Sequence, residues 1–194
     1  GETATITFTI SESVSDFVYG DITVTSGGTL GSLSGSGTSY TATFTPTSES
    51  NVNGVISVAD TKFTNAAGNT NADGSDGNNT ATITVDTRRP TIAITSDVSS
   101  LKAGETATIT FTISESVSDF VVGDITVTSG GNLSSFSGSG TSYTVVFTPS
   151  TNSTSDGVIS VANTKFTDAA GNANADGSDS NNTATINVDT SVPT

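Results

Sequence analysis

Gly1–Val18 reads GETATITFTISESVSDFV, and Gly104–Val121 repeats these residues without a change. From Thr3 to Ile10, threonine alternates with Ala, Ile, Phe and Ile. Successive side chains of a β-strand point to opposite faces, so this alternation predicts a strand with one buried face and one solvated face. Threonine is β-branched and suits the exposed face of a sheet. The stretch therefore indicates a half-buried β-strand that occurs once in each half of the chain.

The repeat extends over the whole chain. Gly1–Thr91 aligns with Gly104–Thr194 without a gap, and roughly four in five aligned positions are identical. Each copy has the size of an ordinary domain. We expect one domain at 1–86, a second at 87–189, and the start of a further repeat at 190–194. Two nearly identical domains in series are unusual for an enzyme and typical of a protein whose function is length, spacing or multivalency.

The same alternation recurs in short segments bounded by Gly, Asn, Ser or Pro. In the second copy it predicts seven strands, labelled A to G: 91–96, 105–114, 124–128, 133–137, 142–148, 158–163 and 183–188. The pattern predicts an all-β fold of tandem immunoglobulin-like Greek-key β-sandwiches. One short helical turn is expected around 14–20 in the first copy.

The first copy begins at its strand B, because nothing in it corresponds to Thr91–Ser96. We expect this domain either to leave an open sheet edge or to borrow a strand from a neighbouring molecule. The absence of Met also predicts that the sequence is part of a longer chain.

Composition excludes several function classes. The chain carries 19 acidic and 5 basic residues, for a formal charge of −14. This charge argues against nucleic-acid partners, which need a basic surface, and against direct contact with an anionic membrane. The sequence lacks Cys and His, so thiol chemistry and the common catalytic triads are absent and zinc is disfavoured. We expect no enzymatic activity and no disulfide framework.

The acidic residues are grouped. In the second copy they are predicted to lie between strands B and C, between strands F and G, and just before strand A. Those three places meet at one end of an immunoglobulin sandwich. The candidate ligands of the second copy are Asp86, Glu115, Asp119, Asp124, Asp168, Asn172, Asp176 and Asp179. The corresponding set in the first copy is Glu12, Asp16, Asp21, Asn65, Asn69, Asp73 and Asp76, and Asp189 begins the next junction.

A calcium-binding site would explain why such side chains are grouped. Ca²⁺ takes six to eight oxygen ligands and tolerates irregular geometry, and carboxylates gathered without a cation repel one another. The spacing of the F–G loops, DAAGNANADGSDSNN and NAAGNTNADGSDGNN, is not that of an EF-hand. The alternative is that Asp, Asn and Gly occur here because they form good turns.

The motifs VDT-x-x-PTI, AGETATITFTISESVSDF, GDITVTSG, FTP, and DAAGN before NNTATI resemble the bacterial immunoglobulin-like repeats of giant RTX-type cell-surface adhesins that type I systems secrete. The resemblance implies an extracellular extender module that projects a ligand-binding tip for adhesion or biofilm formation, with calcium stiffening the junctions between neighbouring repeats. It also implies that Asp86 and Asp189, together with the acids of SES-x-x-D and DAAGN, are metal ligands. Asn65 replaces the Asp of DAAGN in the first copy, which predicts a weaker site there.

Two other functions stay open from the sequence. One is a module whose loops bind a glycan or a protein directly. The near-identity of these loops in the two copies disfavours it. The other is a subunit of a surface filament joined by strand exchange, which the absent strand A of the first copy favours.

Overall fold

The computed structural model describes residues 1–193 and confirms the all-β fold. The chain forms two compact units, Gly1–Arg88 and a second unit that begins at Arg89. Within the described residues, no helix is long and apolar enough to cross a membrane.

Short strands account for both units. The first unit contains β1 (Ala4–Val14), β2 (Ile22–Ser26), β3 (Gly28–Leu30), β4 (Ser34–Pro46), β5 (Gly54–Val58) and β6 (Thr80–Ile83). The second contains β7 (Ile92–Ser96), β8 (Ser100–Lys102), β9 (Ala107–Val117), β10 (Ile125–Ser129), β11 (Gly131–Pro149), β12 (Gly157–Val161) and β13 (Thr183–Asp189). Three-residue 3₁₀ turns lie at Tyr19–Asp21, Gly77–Asn79, Val122–Asp124 and Ser180–Asn182.

The second unit is a two-sheet sandwich. One sheet has the order β11-β9-β7 and the other the order β10-β12-β13-β8. All neighbouring strands are antiparallel except β8, which runs parallel to β13. Alternate side chains of both sheets point inward and form one continuous apolar core. Phe111, Val145, Phe147, Ile159 and Ile186 are completely buried there, which is where most of the stabilising apolar burial occurs.

Phe147 illustrates how tightly this core is packed. Its ring lies against Gly131 and Gly157, and a Cβ built on Gly157 would approach the ring to 2.5 Å. Interiors of this density do not accommodate an added methyl group without displacement. The same arrangement holds for Phe44 with Gly28 and Gly54 in the first unit.

The described part of the first unit has the same plan without counterparts of β7 and β8, and its β3 and β4 correspond to the single strand β11. Its sheets have the orders β1-β4-β3 and β2-β5-β6. Within residues 1–193, the edge of β1 that corresponds to the β7-paired edge of β9 carries no strand. The apolar core is divided into two clusters, because Phe8, Ile10 and Ile22 are only partly buried.

Several predicted elements differ from the structure. Strands D and E of the second copy are one continuous strand, β11, because Gly138 and Gly140 carry it through φ values of 127° and 66°. The expected helical turn at 14–20 is a 3₁₀ turn at Tyr19–Asp21, while Val14 belongs to β1. Strand β8 has only three residues and was not predicted.

Candidate metal centre

Glu115 comes from the irregular end of β9. The pairing of β9 with β11 shifts register between Thr112 and Val117. Such irregularities bend a strand and redirect its side chains. Glu115 has the same strand parity as the buried Ile113 and Val117, and it is half-buried. The prediction placed Glu115 in a loop; it lies instead within a strand.

Asp168 belongs to the loop between β12 and β13, and its carboxylate closes a tight turn. Its Oδ1 accepts hydrogen bonds from the amides of Ala170 at 2.9 Å and Asn172 at 2.8 Å, and its Oδ2 accepts one from Asn172 Nδ2 at 2.8 Å. Gly171 has a φ of 87°, which a residue without a side chain adopts at little cost. Asp168 is 7% exposed. The loop therefore holds a carboxylate that is almost completely buried.

Three carboxylates meet at this point. Asp86, Glu115 and Asp168 each offer an oxygen atom that lies within 4.8 Å of the others. Asp86 precedes β7, and its Oδ1 also accepts the Arg88 amide at 3.2 Å. The prediction grouped these residues from three distant parts of the sequence, and the structure brings these three together.

A further carboxylate, that of Asp119, connects the β9–β10 loop to the β12–β13 loop. Asp119 lies between β9 and β10, and its Oδ2 accepts the Thr167 amide at 2.9 Å and the Thr167 hydroxyl at 2.7 Å. Thr167 is the neighbour of Asp168 in the chain. Asp119 thus fixes the β12–β13 loop where that loop presents Asp168.

The remaining predicted ligands of the second unit make other contacts. Asp124 Oδ2 accepts the Val121 amide at 2.9 Å at the start of a 3₁₀ turn. Asp176 is buried, and its Oδ2 accepts the Ile92 amide of β7 at 2.6 Å. Asp179 stands at the N-cap of the last 3₁₀ turn without a side-chain cap bond. Asp189 ends β13 and accepts the Ser191 amide at 3.1 Å. Asn172 is the partner of Asp168 described above.

The first unit places its equivalents in a similar way. Glu12 Oε2 accepts Asn65 Nδ2 at 3.0 Å, and Asn65 Oδ1 accepts the amides of Ala67 and Asn69 at 3.0 Å each. Asn65 therefore forms the same turn as Asp168, but it brings no charge. Asp21 Oδ2 accepts the Val18 amide at 2.8 Å. Asp73 and Asp76 are exposed.

Hydrogen bonds to Thr64 lower the pKa of Asp16. Its Oδ2 accepts the Thr64 hydroxyl at 2.7 Å and the Thr64 amide at 2.9 Å. The hydroxyl bond is the largest cause that holds the pKa of Asp16 below its ordinary value of 3.8. The fully exposed Asp16 ties β1 to the β5–β6 loop, as Asp119 does in the second unit.

Sequence reasoning missed the structural role of the asparagines. Asn174 is buried, and it donates to the carbonyl of Ala162 at 2.9 Å and accepts the Lys165 amide at 2.8 Å. Asn182 is also buried and donates to the carbonyl of Asp176 at 2.7 Å. The available signal was their recurrence at Asn71 and Asn79 in the first copy.

The donor set of Asp86, Glu115 and Asp168 fits a hard divalent cation. All three donors are carboxylate oxygens, which Ca²⁺ and Mg²⁺ prefer. Like charges this close repel, and the repulsion is strongest at a buried position such as that of Asp168. A cation with two positive charges would relieve it.

Comparison with known families identifies the repeats. A family model described as "Bacterial Ig-like domain" matches residues 1–82 and again residues 86–185. The chain therefore belongs to the bacterial Ig-like domain family, with two copies in series. The second match begins at Asp86, so this carboxylate belongs to the second copy as the family defines it. No curated protein matches the chain.

Proposed function

We propose that the chain is a pair of extender repeats from an extracellular bacterial surface adhesin, and that calcium bound by Asp86, Glu115 and Asp168 limits movement at the junction between repeats. The observation that carries the metal part of this proposal is the convergence of three carboxylates, one of them buried. The family supports the structural part, since it is a repeated Ig-like module.

The positions of the three residues explain how metal binding would act on the chain. Glu115 is in a strand and Asp168 is in a loop fixed by its own hydrogen bonds, so both belong to the rigid part of the second sandwich. Asp86 is in the segment that leads into that sandwich. A cation held by all three would tether this segment to the sandwich and remove part of its conformational freedom.

Calcium would also stabilise the folded state. A ligand that binds the folded state and not the unfolded chain adds RT ln(1 + [L]/Kd), which is about 2.7 kcal/mol at a hundredfold excess over Kd. Extracellular calcium modules bind with Kd values of roughly 10⁻⁴–10⁻³ M. Concentrations on the order of 10 mM would therefore raise the melting temperature of the second unit.

Titration calorimetry and thermal melting test this proposal. We expect saturable calcium binding and a higher melting temperature in calcium than in chelator. The matched variants are Asp168→Asn, which gives the second unit the residue of the first, and Asp179→Asn, which removes an exposed carboxylate outside the cluster. If wild type shows neither binding nor stabilisation, the three carboxylates do not form a calcium site, and screening glycans and proteins for direct binding becomes the next step.

A further inference from the structure

The segment that carries Asp86 is fastened to the first unit by the residue that follows it. The Thr87 hydroxyl donates to the carbonyl of Thr47 at 2.6 Å and accepts the Ser50 amide at 3.0 Å. The Thr87 amide donates to the carbonyl of Ser50 at 2.9 Å. These three hydrogen bonds, which we call the Thr87 clamp, join the segment to the loop between β4 and β5. The clamp cannot open without separating both backbone groups of Ser50 from these partners.

Thr190 forms the same clamp in the second unit. Its hydroxyl donates to the carbonyl of Ser150 at 2.6 Å and accepts the Ser153 amide at 2.8 Å. Its amide donates to the carbonyl of Ser153 at 2.8 Å. Thr190 is buried. Both units therefore hold the threonine of the VDT motif through the same set of atoms.

The clamp persists although the loop that it holds varies between the copies. Positions 47–53 read TSESNVN and positions 150–156 read STNSTSD, so the loops share only the serine at their fourth position. The threonine contacts backbone groups of the loop, which do not depend on the side chains there. Glu49 and Asn152 have φ values of 51° and 52°, so the loop has the same turn in both units. A left-handed φ is uncommon for a residue with a side chain, and the bonds from the threonine help to hold this conformation.

The clamp of the first unit lies one residue from a proposed calcium ligand. Asp86 precedes Thr87 directly and belongs to the cluster with Glu115 and Asp168. Adjacent Cα atoms are about 3.8 Å apart, so opening of the clamp removes a restraint on the backbone of Asp86. Calcium that needs Asp86 in place therefore binds better when the clamp is closed. A ligand with such a difference in affinity shifts the population toward the closed form.

We propose that the Thr87 clamp is coupled to the candidate metal centre. Calcium bound through Asp86 holds the clamp closed and orders the loop at 47–53, and Thr87 is a positioning residue for calcium. This inference rests on the proposed function, because it requires calcium at Asp86. Coupling between two binding equilibria is reciprocal. The factor by which calcium suppresses opening of the clamp is therefore the factor by which the closed clamp raises calcium affinity.

Hydrogen exchange of the full wild-type chain, in saturating calcium and in chelator, tests the coupling without any substitution. We expect the amides of Ser50 and Thr87 to exchange at least fivefold more slowly in calcium, at the lower end of couplings between sites, about fivefold. The Thr61 amide is the control, because it donates to the carbonyl of Asn71 within the β5–β6 loop of the same unit. Its exchange should not change, which distinguishes the clamp from a general stabilisation of the first unit.

Substitutions at the two clamps separate a positioning role from a structural one. Thr87→Val removes the hydroxyl and should lower calcium affinity about fivefold or more in calorimetric titration, whereas Thr87→Ser keeps the hydroxyl and should keep the affinity. Thr190→Val removes the equivalent hydroxyl next to Asp189, which is outside the cluster, and should leave the affinity unchanged. Both valine variants should melt at a lower temperature, so only the calcium affinity reports on positioning.

The outcomes distinguish this inference from the proposed function. Absence of calcium binding to the wild type overturns both. Calcium binding with unchanged exchange at Ser50 and Thr87, or with equal slowing at Thr61, overturns the coupling alone. Equal affinity of Thr87→Val and the wild type overturns it as well. An equal loss of affinity in Thr87→Val and Thr190→Val also overturns it, because the hydroxyl would then act only through the stability of its unit.

Discussion

Asp168 is the residue on which the proposed metal centre depends most. Its backbone and side-chain partners hold it in place, and it is the buried member of the cluster. The change Asp168→Asn keeps the shape and removes one negative charge. We expect calcium affinity to fall at least tenfold, equivalent to about 1.4 kcal/mol, as measured by calorimetric titration. Unchanged affinity, or an equal loss in Asp179→Asn, would contradict the assignment.

Asp16 provides a prediction about pH. Removing the Thr64 hydroxyl with Thr64→Val should raise the pKa of Asp16 toward 3.8. A carboxyl whose folded pKa is depressed stabilises the folded state above its unfolded pKa, and this contribution disappears as pH falls through the folded pKa. The stability difference between wild type and variant should therefore be present at neutral pH and disappear as pH falls through the lowered folded pKa of Asp16. Carboxyl NMR titration measures the pKa directly.

Thr23→Val is the control for this prediction, because Thr23 is an exposed threonine of β2. The control should leave the titration of Asp16 unchanged. If Thr64→Val also leaves it unchanged, the hydroxyl is not the cause of the shift.

The sequence could not distinguish which acidic residues are candidate metal ligands and which accept structural hydrogen bonds. The grouping of acids by loop predicted the neighbourhood of Asp86, Glu115 and Asp168, because the ends of an immunoglobulin sandwich bring fixed loops together. It could not predict that Asp176 turns beneath β7 to accept the Ile92 amide. That role depends on which backbone groups lack partners, and alternation in the sequence does not carry this information.

At the scale of the element, Asp176 anchors the first strand of the second sandwich. Asp176→Ala would leave the Ile92 amide without its acceptor in a buried place, which typically costs about 1–3 kcal/mol. We expect a lower unfolding free energy and faster hydrogen exchange at Ile92. Asp73→Ala is the matched change in the first unit, where it should alter stability by no more than about 0.5 kcal/mol. Equal effects of the two changes would contradict this role.

The sequence predicted which segments form strands better than it predicted the residues at which those strands end. Alternation of Thr with Ile, Phe and Val fixes which face is buried, so β1 and β9 were predicted from one stretch of sequence. Glycine was read as a terminator, yet β11 passes through Gly138 and Gly140, because glycine also permits the positive φ values of an irregular strand. The three-residue β8 is too short to show a period.

At the scale of the molecule, the two copies differ at one of the proposed metal ligands. The metal centre joins Asp86 to Glu115 and Asp168 of the second copy, where an Asp is present at position 168. In the first copy, Asn65 replaces that Asp. Near-identical sequences thus support different chemistry, because one substitution removes a charge.

The most direct test of the proposed function measures the distance distribution between the units. The chain has no Cys, so Cys substitutions at the exposed Thr23 and Thr126 give one spin label in each unit. Pulsed electron–electron double resonance then gives the distribution of distances between the two labels, with calcium and with chelator. We expect the distance distribution to narrow in calcium, and not to narrow in the Asp168→Asn variant. An equally broad distribution in both conditions, with calcium shown to be bound, would contradict the claim that calcium limits movement between the repeats.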